Sequence, residues 1–295
     1  MNKPSRTLVI GDIHGGLKAL LQCLERCQYD KEYDQLIFLG DYTDGWSETA
    51  QLIEFLIDLE SQAIHKPIFL RGNHDEVFED WLETGTHSWN WIQGALPTIE
   101  SYAKLIDHPI KVHTTWSFNT FNQKRYRHEV DMNPGQIPES HIKFFKSMHN
   151  YYVDDQNRGF VHGGFKSKLG LGNEHSESDY YWDRDMWGLA VMAEGRTHLT
   201  EDSTPHSYRF LKHKEVYIGH TSTISHKVKP GYKEYEDPRQ PKNGGIMIPM
   251  NRCNVWNMDT GGGWHGKVSV MDIDTKEFWQ SDIVKELYPD DPGRT

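Results

Sequence analysis

The chain has 295 residues, of which 36% are hydrophobic and 25% are charged, and its formal net charge is -11 at pH 7. This length and apolar content are enough to bury a substantial core, which argues against an intrinsically disordered protein. The acidic excess argues against a protein whose main role is to bind nucleic-acid backbone, because such proteins neutralise phosphates with a basic surface.

Three strand-helix units are predicted in the first third of the chain. Short aliphatic or β-branched runs indicate buried strands at 7–10, 36–39 and 68–70. Apolar residues at helical spacing indicate that helices follow them at 17–24, at 52–59 behind a Ser47 cap, and from Val77 to Trp81. A strand that alternates with a helix in this way predicts a largely parallel sheet. The loops at the carboxyl ends of its strands then form a binding crevice.

The rest of the chain is less regular. Residues 86–135 and 165–210 are weakly periodic and are predicted to be cap-like insertions. The other predicted elements are a helix around 142–148 and strands at 160–161, 216–218, 255–256 and 267–273, the last with alternating character. We therefore predict a single α/β domain over residues 1–295 with two inserted segments.

The sequence also bears on location and redox state. No apolar stretch is long enough to span a membrane, and the first ten residues offer only the short apolar run Leu8-Val9-Ile10, so we expect a soluble, cytoplasmic protein. Three cysteines are too few for a disulfide framework, so Cys23, Cys27 and Cys253 are expected to be reduced structural thiols.

Five predicted strand ends carry groups that can bind a metal ion. They are Asp12-Ile13-His14, Asp41 with Asp44, Asn73-His74, His162 and His220. Any one of them is a common turn or cap residue, but the set together is strong evidence for a metal site. Imidazole, carboxylate and amide ligands suit manganese, iron, zinc or cobalt better than calcium. Two aspartates with several histidines exceed the needs of one catalytic ion, so a site for two ions that share a carboxylate is expected.

The same residues stand in five ordered blocks that resemble the signature of the calcineurin-like metallophosphoesterases. More narrowly, the blocks are similar to those of the bacterial and phage branch related to serine/threonine protein phosphatases. They are Gly11-Asp12-Ile13-His14-Gly15, Gly40-Asp41-Tyr42-Thr43-Asp44, Gly72-Asn73-His74-Asp75, Val161-His162-Gly163-Gly164 and Gly219-His220-Thr221.

The resemblance implies a four-layer αββα sandwich, in which two mixed β-sheets are flanked by helices and a two-metal site lies at one edge. It assigns the first ion to Asp12, His14 and Asp41, and the second to Asp41, Asn73, His162 and His220. A hydroxide bridging the ions would attack phosphorus, with manganese as the favoured metal. His74 would protonate the leaving oxygen, and Asp44 would orient and stabilise its imidazole.

One departure from the family concerns substrate recognition. Protein phosphatases of this type continue the second block as Asp-Arg-Gly, and the arginine binds the substrate phosphate, whereas this chain has Asp44-Gly45-Trp46. Arg184 and Arg71 are candidate replacements, and Asn73 is a further candidate for substrate binding. A structural ion pair explains either arginine at least as well as substrate contact does. The third block also ends in Asp75 where protein phosphatases usually carry Glu.

These observations predict a dimetal-dependent phosphatase that hydrolyses phosphomonoesters, either on a phosphoprotein or on a small phosphorylated compound. The first alternative is an enzyme of the same superfamily that cleaves nucleoside polyphosphates such as diadenosine tetraphosphate, or trims RNA 5' ends. A catalytically inactive scaffold ranks lower, because every expected ligand is retained. The expected partner is a phosphorylated substrate, with no membrane and with nucleic acid only as a nucleotide or RNA-end substrate.

Overall fold

The structure is a computed structural model that describes residues 3–86, 92–108, 112–118, 124–130, 132–194, 208–225 and 245–294. For residues 92–94, 112–118 and 124–130 the description is limited to the backbone.

The first sheet carries the three predicted parallel strands. They are β1 (Arg6–Ile10), β2 (Asp34–Phe38) and β3 (Ile68–Phe69). The late strands β11 (Ser269–Asp272) and β12 (Phe278–Gln280) extend the sheet on the other side of β1 with antiparallel pairing. The order is β12-β11-β1-β2-β3, so the sheet is mixed and its parallel half contains the strand ends that carry Asp12, Asp41 and Asn73.

The second sheet is formed from the later part of the chain. Its strands are β6 (Tyr151–Val153), β7 (Arg158–Val161), β8 (Glu215–Ile218), β9 (Met250–Arg252) and β10 (Val255–Asn257). They run in the order β6-β7-β8-β10-β9, with β7, β8 and β10 parallel. A separate antiparallel hairpin joins β4 (Val112–Phe118) to β5 (Lys124–Val130).

Helices cover the outer faces of both sheets. In the described residues they are α1 (Leu17–Arg26), α2 (Thr49–Gln62), α3 (Asn73–Thr84), α4 (Ile92–Leu105), α5 (Glu139–Lys146), α6 (Ser178–Trp182), α7 (Asp185–Ala193) and α8 (Val284–Leu287). None of the described helices is both long enough and apolar enough to cross a membrane.

Burial on both faces explains why β1 is a continuous aliphatic run. Leu8 and Ile10 pack in a core with α1 and α2, whereas Val9 points the other way and packs with Phe160 and Tyr217 of the second sheet. A third core lies on the outer face of the second sheet, under α6 and α7. The layers are therefore helix, sheet, sheet and helix, as the family resemblance implies.

The structure corrects two local predictions. The Ser47 cap is wrong, because α2 begins at Thr49 after Glu48 and no side chain caps it. Long-range contacts hold the preceding turn instead, since the N–H of Ser47 donates to the Asp291 carboxylate at 3.1 Å. The alternating character assigned to 267–273 is also wrong, because every residue of β11 is buried between neighbouring layers.

The two weakly periodic segments contain regular structure. Within 86–135 lie α4 and the β4-β5 hairpin, and within 165–210 lie α6 and α7. The parts of these segments at 87–91, 109–111, 119–123, 131 and 195–207 lie outside the described residues.

Candidate metal centre

The ends of five strands from both sheets meet at one edge of the sandwich. They bring together the predicted metal-competent side chains, namely Asp12, His14, Asp41, Asn73, His162 and His220, all of which are buried. His14, Asp41 and His74 place ligand atoms within 4.8 Å of one another, and so do Asp41, His162 and His220. Asp41 belongs to both groups, so it lies between the two halves of the centre.

A single carboxylate oxygen of Asp41 occupies the middle of the cluster. Its Oδ2 lies 3.4 Å from His14 Nε2 on one side and 3.3 Å from His162 Nε2 on the other. This oxygen is buried and has no hydrogen-bond partner among the described residues. A buried carboxylate oxygen without a partner is costly, and a cation on each side of it would remove that cost.

The second half of the centre is built around the Asn73 side chain. Asn73 Oδ1 lies 3.1 Å from His162 Nε2 and 2.7 Å from His220 Nδ1. The carboxylate of Asp12 accepts a hydrogen bond from the backbone N–H of His220 at 3.1 Å, and its Oδ2 lies 3.9 Å from His14 Nε2. Asp12 therefore links the loop after β8 to the half of the centre that contains His14.

Backbone carbonyls orient two of the imidazoles. Nδ1 of His14 lies 2.9 Å from the carbonyl oxygen of Thr43, and Nδ1 of His162 lies 2.9 Å from that of Leu39. A carbonyl can only accept, so each Nδ1 carries a proton and each Nε2 faces the cluster. Metal-binding histidines are oriented in this way by a partner on the opposite ring nitrogen.

The electrostatics of the cluster also suit cations. Burial raises the pKa of Asp12 well above its ordinary value, and the nearby charge of Asp259 raises it further. Burial and then the Arg294 charge lower the pKa of His14 well below its ordinary value, which keeps its imidazole neutral. Burial opposes the charged forms of Asp41 and His162, but their mutual attraction prevails, so the pKa of Asp41 lies well below its ordinary value and that of His162 is raised to about 9. A divalent ion could take the place of the His162 proton between these two side chains.

Several of these residues adopt a backbone conformation that non-glycine residues rarely hold. The φ angles are 51° at His14, 57° at Asp41, 64° at Asp44 and 64° at His220. Each such conformation costs on the order of 1–3 kcal/mol and persists only where the surrounding structure enforces it. Strain concentrated in four residues that follow three strands is typical of a functional site.

The carboxylate of Asp75 holds the loop after β2 in this conformation. It accepts hydrogen bonds from the backbone N–H groups of Asp41 at 2.7 Å, Tyr42 at 2.9 Å and Gly72 at 2.9 Å. Burial, followed by the charge of Asp41, raises the pKa of Asp75 to about 6. Asp75, which stands where protein phosphatases usually carry Glu, thus connects the loop after β2 to the loop after β3.

His74 lies at the rim of the cluster and is paired with Asp44. Its Nδ1 is 2.7 Å from Asp44 Oδ2, and its backbone N–H donates to Asp41 Oδ1 at 3.0 Å. Asp44 is completely buried, whereas the His74 side chain is 17% exposed. The imidazole is therefore accessible from solvent while its carboxylate partner is fixed from behind.

Thr98 of α4 positions Asp44 and was not identified from the sequence. Its hydroxyl donates to Asp44 Oδ1 at 3.1 Å and accepts the Asp44 N–H at 2.8 Å. A contact between residues 54 apart leaves no local pattern that would have revealed it.

We expect Thr98→Val to lower the free energy of unfolding by about 1–2 kcal/mol, because it leaves a buried carboxylate short of one donor. It should also reduce kcat several-fold on substrates with poor leaving groups, since Asp44 would no longer be fixed against His74. Thr49→Val is the matched control, because Thr49 contacts Thr98 Oγ1 at 3.2 Å but is not bonded to Asp44. Urea denaturation and steady-state kinetics test both, and an equal kcat loss in the two variants would contradict the positioning role.

The two arginines proposed to contact phosphate lie in different environments. Arg184 is exposed beside the centre, and its Nη1 donates to the carbonyl oxygen of His220 at 3.0 Å. Arg71 pairs with Glu79 at 2.5 Å and also bonds Asn150 and Tyr181. The surroundings of Arg71 agree with a structural ion pair rather than with substrate contact.

The sequence reading also missed an arginine at the far end of the chain. Arg294 places Nη1 3.1 Å from His14 Nε2, across a separation of 280 residues. Trp46, which follows Gly45, is fully buried, stacks on Tyr288 and donates its indole N–H to the Gly262 carbonyl at 2.7 Å. Trp46 therefore packs beneath the loop and does not line the centre.

Comparison with known proteins gives a consistent result. The family model for calcineurin-like phosphoesterases matches residues 5–244. The symmetrical bis(5'-nucleosyl)-tetraphosphatase of Coxiella burnetii (strain CbuG_Q212) is 35% identical, over 94% of this chain and 93% of that protein. Serine/threonine-protein phosphatase 1 of Salmonella typhimurium is 29% identical, over 28% of this chain and 36% of that protein.

Solved structures share the fold at low identity. A crystal structure named as a candidate diadenosine tetraphosphatase aligns over 94% of both chains with a TM-score of 0.52 and 13% identity. The cold-active protein-tyrosine phosphatase of a psychrophilic Shewanella aligns over 95% of this chain and 81% of its own, with a TM-score of 0.51 and 12% identity. At these identities the likeness supports the two-sheet sandwich alone.

Proposed function

The chain belongs to the calcineurin-like phosphoesterase family and is a metal-dependent phosphoric ester hydrolase, and we propose a metal-binding or catalytic role for each residue of its centre. The first ion would be held by Asp12, His14 and Asp41. The second would be held by Asp41, Asn73, His162 and His220. Manganese is the metal we propose for both positions, because the mixed nitrogen and oxygen donor set suits a borderline divalent ion.

The observation that carries this proposal is the position of Asp41 Oδ2. It lies at nearly equal distances, 3.4 and 3.3 Å, from Nε2 of His14 and Nε2 of His162, and has no other partner among the described residues. Two bound divalent ions would supply an activated water and positive charge for the phosphoryl oxygens. The protein would fix the ligands, exclude competing solvent and hold a proton donor at the rim.

His74 is proposed as that donor. Asp44 lies 2.7 Å from its Nδ1 and would stabilise the protonated ring, which leaves Nε2 free to give a proton to the leaving oxygen. Because His74 is partly exposed and Asp44 is buried, the ring can meet a substrate while its orientation stays fixed.

For the substrate, a dinucleoside polyphosphate is the first candidate. The symmetrical tetraphosphatase of Coxiella burnetii matches nearly the whole of this chain, at 35% identity, so the similarity extends beyond the metal-binding blocks. Symmetrical cleavage of diadenosine tetraphosphate would yield two molecules of ADP.

A phosphomonoester is the second candidate, and a groove beside the centre favours it. A cavity of about 490 Å³ is lined by five carboxylates with a single guanidinium, that of Arg71. Trp182 bonds Glu76 of this groove and contacts the His220 ring edge-on, so the groove adjoins the centre. Glu79 pairs with Arg71, and the other four carboxylates, Glu76, Asp80, Glu83 and Glu177, repel a polyphosphate chain but attract the basic residues of a phosphopeptide.

A substrate panel with manganese present separates the two candidates. A dinucleoside polyphosphatase should release ADP from diadenosine tetraphosphate with a kcat/KM at least about tenfold above that for p-nitrophenyl phosphate or a basic phosphopeptide. The reverse order would favour the monoesterase. An RNA with a 5' triphosphate belongs in the same panel, and Asp41→Asn controls for contaminating phosphatase. Absence of hydrolysis across the panel with manganese, iron, zinc and cobalt would contradict the proposed function.

A further inference from the structure

The C-terminal segment returns to the metal centre and brings an arginine with it. The backbone N–H of Arg294 donates to the Gly263 carbonyl at 3.0 Å, and its guanidinium lies 5.0 Å above the ring of Trp264. From this anchor the side chain extends until Nη1 is 3.1 Å from His14 Nε2. The guanidinium therefore stands at the edge of the ligand cluster on the side of the first proposed ion.

Two glycines leave the space that the Arg294 side chain fills. A Cβ atom at Gly45 would lie 3.3 Å from Arg294 Cγ, and one at Gly263 would lie 2.8 Å from Arg294 Cδ. Gly45 has a φ of 122°, which an arginine at that position could adopt only with strain. The loop after Asp44 thus cannot readily supply a cation of its own, and the stem of Arg294 runs directly past it.

Among the described residues, no carboxylate forms an ion pair with the Arg294 guanidinium, and the residue is partly buried. Burial raises the pKa of the nearby Asp259, and the Arg294 charge offsets part of that rise. The polar and aromatic partners of its side chain in the described part of the chain are an imidazole nitrogen and an indole face, so a guanidinium with five donors has unused capacity for an anion.

We infer that Arg294 is the phosphate-binding guanidinium of this site, taking the place that Gly45 leaves vacant. The inference rests on the proposed function for the chemistry of its ligand, a phosphate group with at least two free oxygens. A fork of two parallel N–H donors matches such a group, and a lysine does not reproduce that geometry. Arg184 contacts His220 at the opposite end of the cluster, so the two arginines would approach a bound phosphate from different sides.

The contact with His14 defines the opposing interpretation. Because His14 Nε2 is also the atom proposed to face the first ion, Arg294 could act as a plug that competes with the metal. A phosphate-binding residue and a plug have opposite consequences when the side chain is removed. Loss of a phosphate contact weakens anion binding and leaves metal binding intact, whereas loss of a plug tightens metal binding and raises activity.

The test compares Arg294→Ala, Arg294→Gln and Arg294→Lys in the manganese-loaded full chain. Isothermal titration with inorganic phosphate should show Kd raised at least about tenfold in the Ala and Gln variants, with a smaller rise for Lys. KM for p-nitrophenyl phosphate should rise in parallel, added guanidinium should partly restore Arg294→Ala, and bound manganese should not change. Arg26→Ala, which removes an exposed arginine paired with Asp282, is the matched control and should bind phosphate like the unmodified protein.

The outcomes separate this inference from the proposed function. Unchanged phosphate affinity in both Arg294→Ala and Arg294→Gln would overturn it, as would tighter manganese binding with higher activity. Weaker phosphate binding in Arg184→Ala alone would also overturn it, by assigning the anion to the other arginine. If the unmodified protein hydrolyses no phosphate ester but its phosphate affinity still depends on Arg294, the proposed function fails and the assignment of Arg294 stands.

Discussion

Asp41→Asn is expected to release both metal ions together and to lower kcat by about a thousandfold, which corresponds to about 4 kcal/mol of transition-state stabilisation. The reason is that Asp41 Oδ2 lies between the two halves of the centre, 3.4 Å from His14 Nε2 and 3.3 Å from His162 Nε2. An amide has the same shape as the carboxylate, but it lacks the charge that two cations would share.

The fold should survive this substitution. The other oxygen, Asp41 Oδ1, accepts the backbone N–H of His74 at 3.0 Å, and the amide oxygen of an asparagine can accept the same bond. Circular dichroism and thermal unfolding should therefore show a folded protein, so that lost activity reports lost metal.

Asp12→Asn is the matched comparison, because Asp12 approaches the His14 ring in the first half of the centre but meets the second half only at the backbone N–H of His220. Burial already raises the pKa of Asp12, so a neutral side chain at this position is tolerated. After dialysis against limiting manganese, elemental analysis should find close to one equivalent in Asp12→Asn and close to none in Asp41→Asn. Equal metal loss in the two variants would contradict the bridging role of Asp41.

Much of the metal centre could be predicted because each ligand lies in the loop that follows a strand. Leu8, Val9 and Ile10 form an uninterrupted aliphatic run, and such a run indicates a strand whose two faces are both buried. Asp12 comes just after that run, where parallel strands open onto a shared crevice. The positions of His162 and His220 depended on a second sheet, which the family resemblance supplied and local periodicity did not.

The helix α4 shows why the middle of the chain was harder to predict. It spans Ile92–Leu105 with Pro97 inside it, and a proline within an apolar pattern is normally a sign that a helix ends. The interior position of Pro97 is tolerated here because Ala95, Ile99 and Tyr102 of α4 pack into the core formed with α2 and α5. Tertiary packing thus outweighed the local signal.

The supporting contacts of the site were invisible for a different reason. Thr98 reaches Asp44 across 54 residues, and Arg294 reaches His14 across 280. Neither residue belongs to a motif or lies on a strand end. Single residues brought in by the fold leave no spacing in the sequence, so only the assembled structure places them.

His74→Ala is expected to lower kcat by about 10² to 10⁴ on substrates with poor leaving groups such as alkyl phosphates, and by less than about tenfold on p-nitrophenyl phosphate. An alkoxide needs a proton as it departs, whereas nitrophenolate is stable without one. The geometry supports this role, because the Asp44 carboxylate lies 2.7 Å from Nδ1 and would stabilise the charged ring before it donates.

The rival interpretation is that His74 binds metal, since its ligand atom lies within 4.8 Å of those of His14 and Asp41. The two roles differ in what the alanine variant loses. A proton donor can be removed with both manganese ions still bound, and the rate loss then grows with the pKa of the leaving alcohol. A ligand cannot be removed in this way, so its loss lowers metal content and slows the hydrolysis of every substrate alike.

The Asp44→Asn variant sharpens the comparison, because Asp44 touches His74 and Thr98 but lies in neither group of metal-competent residues found in the described ranges. If Asp44→Asn reproduces the leaving-group dependence of His74→Ala with full metal content, the pair acts as a proton donor with its orienting carboxylate. Equal losses on alkyl and nitrophenyl phosphates would remove His74 from that role.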